Sequence, residues 1–153
     1  MKAGKAVKWI LICVLTVMVG VGAGVMAEGY GMYRRAMEEV SLEDKVASIR
    51  GKENYTAFDE LPEIYVDAVL SVEDHRFYNH GGIDLIAIAR AVVNDIKAGA
   101  FVEGGSTVTQ QLAKNMYFSQ EKEMSRKVAE VFVAFDLEKH YTKNEILELY
   151  VNT

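Results

Sequence analysis

An uncharged run of 19 residues, Trp9–Ala27, constrains this 153-residue chain more than any other feature. As an α-helix it would be about 28 Å long, close to the ~30 Å hydrocarbon core of a bilayer. Lys2, Lys5 and Lys8 precede the run and favour a cytoplasmic N-terminus. The sequence therefore predicts a basic cytoplasmic tail over residues 1–8 and one membrane-spanning anchor over residues 9–27.

A cleaved signal peptide is the alternative to an anchor. Val25, Met26 and Ala27 would pass as a small-residue cleavage site. An uncharged 19-residue core is long for a signal peptide, so we favour the uncleaved anchor. Cys13 is the only cysteine and lies inside the run, which excludes an internal disulfide or a thiolate metal cluster.

The rest of the chain is acidic. Its 126 residues carry the other 14 basic side chains and all 22 acidic ones, a net charge of −8. Nucleic acid is therefore not expected as a partner, because phosphate binding needs a basic surface. An anionic ligand would have to be bound by a local cluster of cations.

Helical signals dominate this acidic part. We predict a stalk over residues 28–54 and a catalytic domain over residues 55–153. No alternating segment is long enough to predict a sheet, so the fold class is mostly α. The last predicted helix shows no stop signal before Thr153, so we expect a fragment of a longer chain. Helices are predicted to begin at Pro62, after Asp84 and after Thr107, whose capping-box partner is Gln110, and the helix after Asp84 is predicted to end at Gly99. Apolar positions from Val128 to Phe135 and from Ile146 to Tyr150 predict two more helices.

Glu73 ends the helix that begins at Pro62, and Phe77 and Tyr78 follow it closely. The negative end of the helix dipole and the aromatic neighbours both favour proton uptake by a carboxylate, which suits a general base. On this cluster alone, an ordinary exposed acidic pair at a helix end explains the residues better.

A second cluster follows two glycines, whose small size lets backbone approach a ligand. The helix that begins after Thr107 offers free N–H groups to an anion, and Lys114 shares a face with Gln110 and Gln111. A capped surface helix is the alternative. The cluster comprises Gly104, Gly105, Ser106, Thr107, Gln110, Gln111 and Lys114.

Two further clusters are weak by themselves. Arg126, Lys127 and Glu130 could bind a diphosphate and position a metal, but a surface ion pair worth about 0.3–0.5 kcal/mol explains them as well. The segment 143–152 alone indicates only an amphipathic helix.

Together, in this order and spacing, the four clusters resemble the first four motifs of the peptidoglycan glycosyltransferases, glycosyltransferase family 51. The similarity runs from about Tyr55 to Asn152 and is closer to the monofunctional enzymes than to bifunctional penicillin-binding proteins. It implies a lysozyme-like helical domain, incomplete here because the family domain continues past the fourth motif. The motifs are Glu73-Asp74-x-x-Phe77-Tyr78-x-His80-x-Gly82 and Gly105-Ser106-Thr107-x-Thr109-Gln110-Gln111, with Arg126-Lys127-x-x-Glu130 and residues 143–152.

The resemblance implies polymerisation of lipid II into β-1,4-linked glycan by one inverting displacement that releases undecaprenyl diphosphate. Glu73 matches the general base, and Glu130 the second family glutamate, which acts on the leaving diphosphate directly, through Mg²⁺ or Mn²⁺, or by orienting its neighbours. Lys122 stands near a position where relatives often carry Arg. The substrate-binding positions implied are Phe77, His80, Ser106, Gln110, Gln111, Lys114, Lys122, Arg126 and Lys127.

The expected partners are lipid II, the growing glycan strand, the bacterial cell membrane and other proteins of cell-wall synthesis. Two alternatives stay open. A lysozyme-like glycan hydrolase would need a general acid facing water and gives no reason for the Lys/Arg set. An incomplete, anchored fragment would bind substrate or partners without turnover.

Overall fold

A computed structural model describes residues 2–100, 104–118 and 124–153 of the chain, with side chains described from residue 7 onward. This part holds seven α-helices and no strand, with one isolated bridge between Gly81 and Ile83. The prediction of a mostly α fold is confirmed. The helices are α1 Lys2–Glu39, α2 Leu42–Arg50, α3 Glu63–Glu73, α4 Leu85–Ala98, α5 Val108–Tyr117, α6 Met124–His140 and α7 Lys143–Val151, with 3₁₀ turns at Phe58–Glu60 and Phe77–Asn79.

Helix α1 contains the predicted anchor and continues without a break to Glu39. By length and composition it could cross a membrane, and none of its most apolar stretch is buried in the protein. A helix that is apolar on every side and unburied is typical of a lipid-facing span. This agrees with a membrane-anchored chain.

The C-terminal part of α1 packs closely on α6. A Cβ placed on Gly29 would lie only 2.5 Å from the Ser125 carbonyl oxygen, so glycine is what permits this approach. Further along, Tyr33 packs on Phe132 and donates a hydrogen bond of 2.6 Å to Asp136 Oδ2. The first part of the segment that we predicted as a stalk is thus joined firmly to α6.

The core forms where α5 packs against α6 and α7. Helix α2, which also lies in the predicted stalk segment, contributes to the same core. The buried apolar side chains are Leu42, Val46 and Ile49 from α2; Val108, Leu112, Ala113 and Met116 from α5; Val133 and Leu137 from α6; and Ile146, Leu147 and Leu149 from α7, together with Phe77.

Most helix ends follow the predicted capping residues. Asp84 accepts hydrogen bonds from the first turn of α4, and Gly99 ends that helix with φ of 63°. Thr107 and Gln110 form the predicted capping box of α5. Helix α7 ends at Val151, and the Asn152 backbone N–H donates to carbonyls of its last turn. The expectation of a longer chain stays a prediction.

Candidate active site

Glu73 is the last residue of α3, and its side chain is exposed to solvent. The Gln111 amide nitrogen Nε2, from α5, donates a 2.8 Å hydrogen bond to Glu73 Oε2. The amide oxygen of Gln111 in turn accepts a 3.2 Å hydrogen bond from the Tyr150 hydroxyl of α7. Three helices that are distant in sequence therefore meet at this carboxylate.

The turn after Glu73 is fixed to the start of α5 by the buried carboxylate of Asp74. Asp74 accepts a 3.1 Å hydrogen bond from the Val108 backbone N–H, and His80 Nε2 lies 2.9 Å from its Oδ2. Phe77 is only 1% exposed and fills the core below the turn. Phe77 and His80 thus support the loop that carries Glu73, and neither lines the cavity beside it.

A polar cavity of about 410 Å³ adjoins Glu73. It lies between the end of α3, the helix α4 and the loop before α5. Gly105 allows this closeness, since a Cβ there would be 3.1 Å from the Ile88 Cα atom. The lining residues are Ser71, Val72, Glu73, Asp74, His75, Asp84, Ala87, Arg90, Gly104, Gly105, Ser106 and Thr107.

Ser106 connects this cavity to the cations of α6. Lys127 Nζ donates a 3.1 Å hydrogen bond to Ser106 Oγ. Partial burial lowers the pKa of Lys127 below the ordinary value, and the positive charges of Arg126 and Lys114 lower it further. The three side chains are therefore close enough to interact, and we call Lys114, Arg126 and Lys127 the cation cluster.

Glu130 lies beneath the cation cluster and is completely buried. Arg126 donates a hydrogen bond to its Oε1, and Lys127 Nζ is 2.8 Å from its Oε2. The surface ion pair considered from the sequence is therefore excluded. Both oxygens of this carboxylate face cations of the protein, so its direct role in the described structure is to hold Arg126 and Lys127.

The environment of Glu130 does not fit a divalent cation, which prefers several oxygen ligands. The donor set in the described residues that does come together is Asp74, His80 and Asp84. There Asp84 already binds the Arg76 guanidinium and caps α4. A requirement for Mg²⁺ or Mn²⁺ stays a prediction.

Two predicted site residues remain, Gln110 and Lys122. Gln110 is buried, and its amide oxygen accepts a 3.1 Å hydrogen bond from the Thr107 backbone N–H, so the structure gives it a capping role. Lys122 lies outside the described residues. Contact of either residue with a substrate stays a prediction.

Sequence reasoning missed two residues that the structure brings to the site. Arg90 lines the cavity, and Tyr150 reaches Glu73 through Gln111. Arg90 is a cation on an otherwise apolar stretch of α4, which could have been noticed. Tyr150 fits an apolar helical pattern, and no local signal separates its hydroxyl from that pattern.

These features define a class of protein: a helical domain that follows an apolar, anchor-like helix and has a polar cavity. The cavity is lined by the exposed carboxylate of Glu73 and by Ser106, which accepts a hydrogen bond from Lys127. A family model described as Transglycosylase matches residues 42–153, so it also includes α2. The chain belongs to the transglycosylase family.

Relatives of two kinds are similar to the chain. The Monofunctional glycosyltransferase of Staphylococcus aureus (strain Newman) is 44% identical over 109 residues, which cover 71% of this chain and 40% of that protein. Penicillin-binding protein 1F of Bacillus subtilis (strain 168) is 46% identical over 110 residues, 71% of this chain and 15% of that protein. Penicillin-binding protein 1A of Neisseria flavescens is 42% identical over 114 residues, 73% and 14% respectively. The chain thus spans less than half the length of each relative.

Proposed function

We propose that the chain carries the base and the diphosphate-binding cations of a peptidoglycan glycosyltransferase that polymerises lipid II. One observation carries the proposal. Glu73 and Ser106 line the same cavity, and Ser106 holds Lys127 of the cation cluster. A carboxylate and a serine that is hydrogen-bonded to Lys127 thus line one cavity, which supports a proton acceptor and nearby cations acting on one substrate.

The reaction proposed is a single inverting displacement. The Glu73 carboxylate takes the proton from the 4-hydroxyl of the acceptor sugar. The acceptor oxygen forms a bond to the anomeric carbon of the donor, while the bond from that carbon to the diphosphate oxygen breaks on the opposite face. The electron pair leaves with undecaprenyl diphosphate, and an α-linked donor becomes a β-1,4 linkage.

The cation cluster supplies what this leaving group requires. Negative charge grows on the diphosphate as its bond to the sugar breaks, and fixed cations stabilise that charge without donating a proton. The ion pairs to Glu130 hold Arg126 and Lys127 in place before the substrate arrives. A strong general acid is therefore unnecessary, which separates this site from a glycan hydrolase.

The apolar helix α1 supports a lipid-borne substrate. An anchor that holds the site at the bilayer confines enzyme and lipid substrate to the same thin layer, which raises their effective concentration. We propose a bacterial cell membrane as the location, with the catalytic part outside the cell. Contact with other proteins of cell-wall synthesis stays a prediction.

Incubation of the chain in detergent micelles with a labelled lipid-linked disaccharide-peptide tests the proposal. We expect glycan polymer and one undecaprenyl diphosphate for each linkage formed. Soluble muropeptides released from finished cell wall, without polymer, would favour the hydrolase. Binding of the labelled lipid without polymer would favour the anchored, inactive fragment.

Lys127 provides a separate test of the diphosphate site. Its pKa lies below the ordinary lysine value of 10.5 in the free protein, and a bound anion would raise it again. At a pH between the Lys127 pKa of the free protein and that of the pyrophosphate complex, Lys127 is partly neutral in the free protein and charged in the complex. Compared with a variant that lacks this lysine, wild type should therefore take up additional protons on pyrophosphate binding at alkaline pH and almost no additional protons at pH 7.

Calorimetry in two buffers of different ionisation enthalpy measures this uptake. We expect Lys127→Met to lose this additional uptake, whereas Lys139→Met, which changes an exposed lysine of the same helix, should retain it. Equal uptake by wild type and Lys127→Met would remove Lys127 from the diphosphate site.

A further inference from the structure

Glu73 is connected to α7 by two hydrogen bonds through Gln111. The Gln111 amide nitrogen donates to Glu73 at 2.8 Å, and its oxygen accepts from the Tyr150 hydroxyl at 3.2 Å. The resemblance to the family assigns Gln111 to the substrate groove and gives Tyr150 no role. In the structure the two ends of the Gln111 amide are both engaged by protein groups.

An amide side chain can present either its oxygen or its nitrogen to a neighbour. A carboxylate only accepts hydrogen bonds, so Glu73 binds the N–H end of the Gln111 amide and leaves the amide oxygen for a donor. Burial raises the pKa of Tyr150, and the negative charge of Glu73 raises it further, so the hydroxyl keeps its proton. By donating that proton to the Gln111 oxygen, Tyr150 holds the amide in this orientation. An amide turned the other way would present its oxygen to the carboxylate and repel it.

We propose that Tyr150 is a positioning residue that acts through Gln111 to hold the Glu73 carboxylate in the orientation needed for proton abstraction. This rests on the proposed role of Glu73 as the base. A fixed orientation keeps one carboxylate oxygen directed to the Gln111 amide while the other stays available to the acceptor hydroxyl.

Other ionisable groups surround Glu73, and their partners are different. Asp74, His75, Asp84 and Arg90 line the cavity from the α3 end and α4, and Tyr65 of α3 lies near Tyr150. The two aspartates are engaged: Asp74 by His80 and the start of α5, Asp84 by Arg76 and the start of α4. Among the described residues, the hydrogen bond that reaches the Glu73 carboxylate is the one from Gln111.

A double-mutant cycle on the full chain tests the proposal. We expect Tyr150→Phe to lower kcat by about 3- to 10-fold with little change in KM. Gln111→Leu should lower kcat by about 10- to 100-fold. The double variant should equal Gln111→Leu alone, because a residue that acts only through Gln111 has no effect once Gln111 is absent.

Tyr117→Phe is the matched control. This tyrosine also donates its hydroxyl to the protein, at the Val40 carbonyl oxygen, but it lies away from Glu73. It should leave kcat and KM unchanged. A raised KM with unchanged kcat in Tyr150→Phe or Gln111→Leu, or additive effects in the double variant, would overturn the proposal.

Nuclear magnetic resonance of the side-chain amide of Gln111 gives a readout that does not need turnover. We expect the resonance frequencies of its N–H groups to change with pH as the Glu73 carboxyl gains or loses its proton. This pH-dependent change should be absent in Glu73→Gln and smaller in Tyr150→Phe. Signals that ignore the ionisation of Glu73 would overturn the arrangement. If these signals behave as expected but wild type makes no polymer, the proposed function fails while the hydrogen-bond chain stands.

Discussion

Glu73→Gln should lower polymerisation of lipid II by about 10³-fold while substrate binding changes little. Glutamine keeps the size of the side chain and its capacity to accept a hydrogen bond, but it cannot take a proton from the acceptor hydroxyl. Because Glu73 is exposed and lies at a helix end, the fold should tolerate the change. The rate is measured as polymer formed from labelled lipid II, and binding as retention of the same lipid by the micelle-bound chain.

The control is Glu63→Gln, an exposed glutamate in the first turn of the same helix. It should polymerise at the wild-type rate, since it lies ten residues from Glu73 at the opposite end of α3. Near-normal turnover by Glu73→Gln would contradict the assigned base. Loss of lipid binding together with turnover would instead assign Glu73 to substrate contact.

Glu130→Gln should have the second largest effect, on both rate and stability. The side chain is completely buried between Arg126 and Lys127, and removal of one partner from a buried ion pair costs about 3–5 kcal/mol of unfolding free energy. Polymerisation should fall by about 10- to 100-fold, less than for Glu73→Gln, because the cations would still be present but less well held. Denaturant unfolding and the polymer assay measure the two effects.

The matched control is Glu38→Gln, which breaks an exposed pair with Arg34 at the same spacing of four residues. An exposed pair contributes at most about 1 kcal/mol, so stability and rate should hardly change. If Glu130→Gln behaved like this control, the buried pair would have no role in holding the cations. A rate loss that Mg²⁺ or Mn²⁺ reverses would point to a metal ion at Glu130. That result would contradict our conclusion that the surroundings of Glu130 do not fit a divalent cation.

The helices could be predicted wherever their end signals are local. Asp84 and Gly99 bound α4, and Thr107 with Gln110 caps α5, because each cap involves residues within a few positions of one another. The environment of Glu130 could not be predicted in this way. Its burial depends on the packing of α1 and α5 against α6, which the spacing of Arg126 and Glu130 does not reveal.

In the candidate site, too, some features could be predicted from local sequence and others depend on contacts between distant residues. The sequence pattern identified Glu73 and the cations as candidates, and the structure connects them through a shared cavity and Ser106. The pattern could not tell that Phe77 lies in the core, because a motif position that supports a loop and one that touches a ligand look alike in sequence. Tyr150 was missed because its contact with Gln111 spans 39 positions.

The close contact of α1 with α6 at Gly29 has a consequence for the proposed lipid substrate. Gly29 lies two residues beyond the apolar run, a rise of about 3 Å along the helix, and it meets the turn of α6 that carries Arg126. For a chain anchored through residues 9–27, the Arg126 side chain would stand in the head-group layer. Under the proposed function, a polyprenyl diphosphate would reach it by lateral diffusion within its leaflet. Its hydrocarbon tail would stay in the bilayer core, and the cost of about 0.8 kcal/mol for each methylene group moved into water would be avoided.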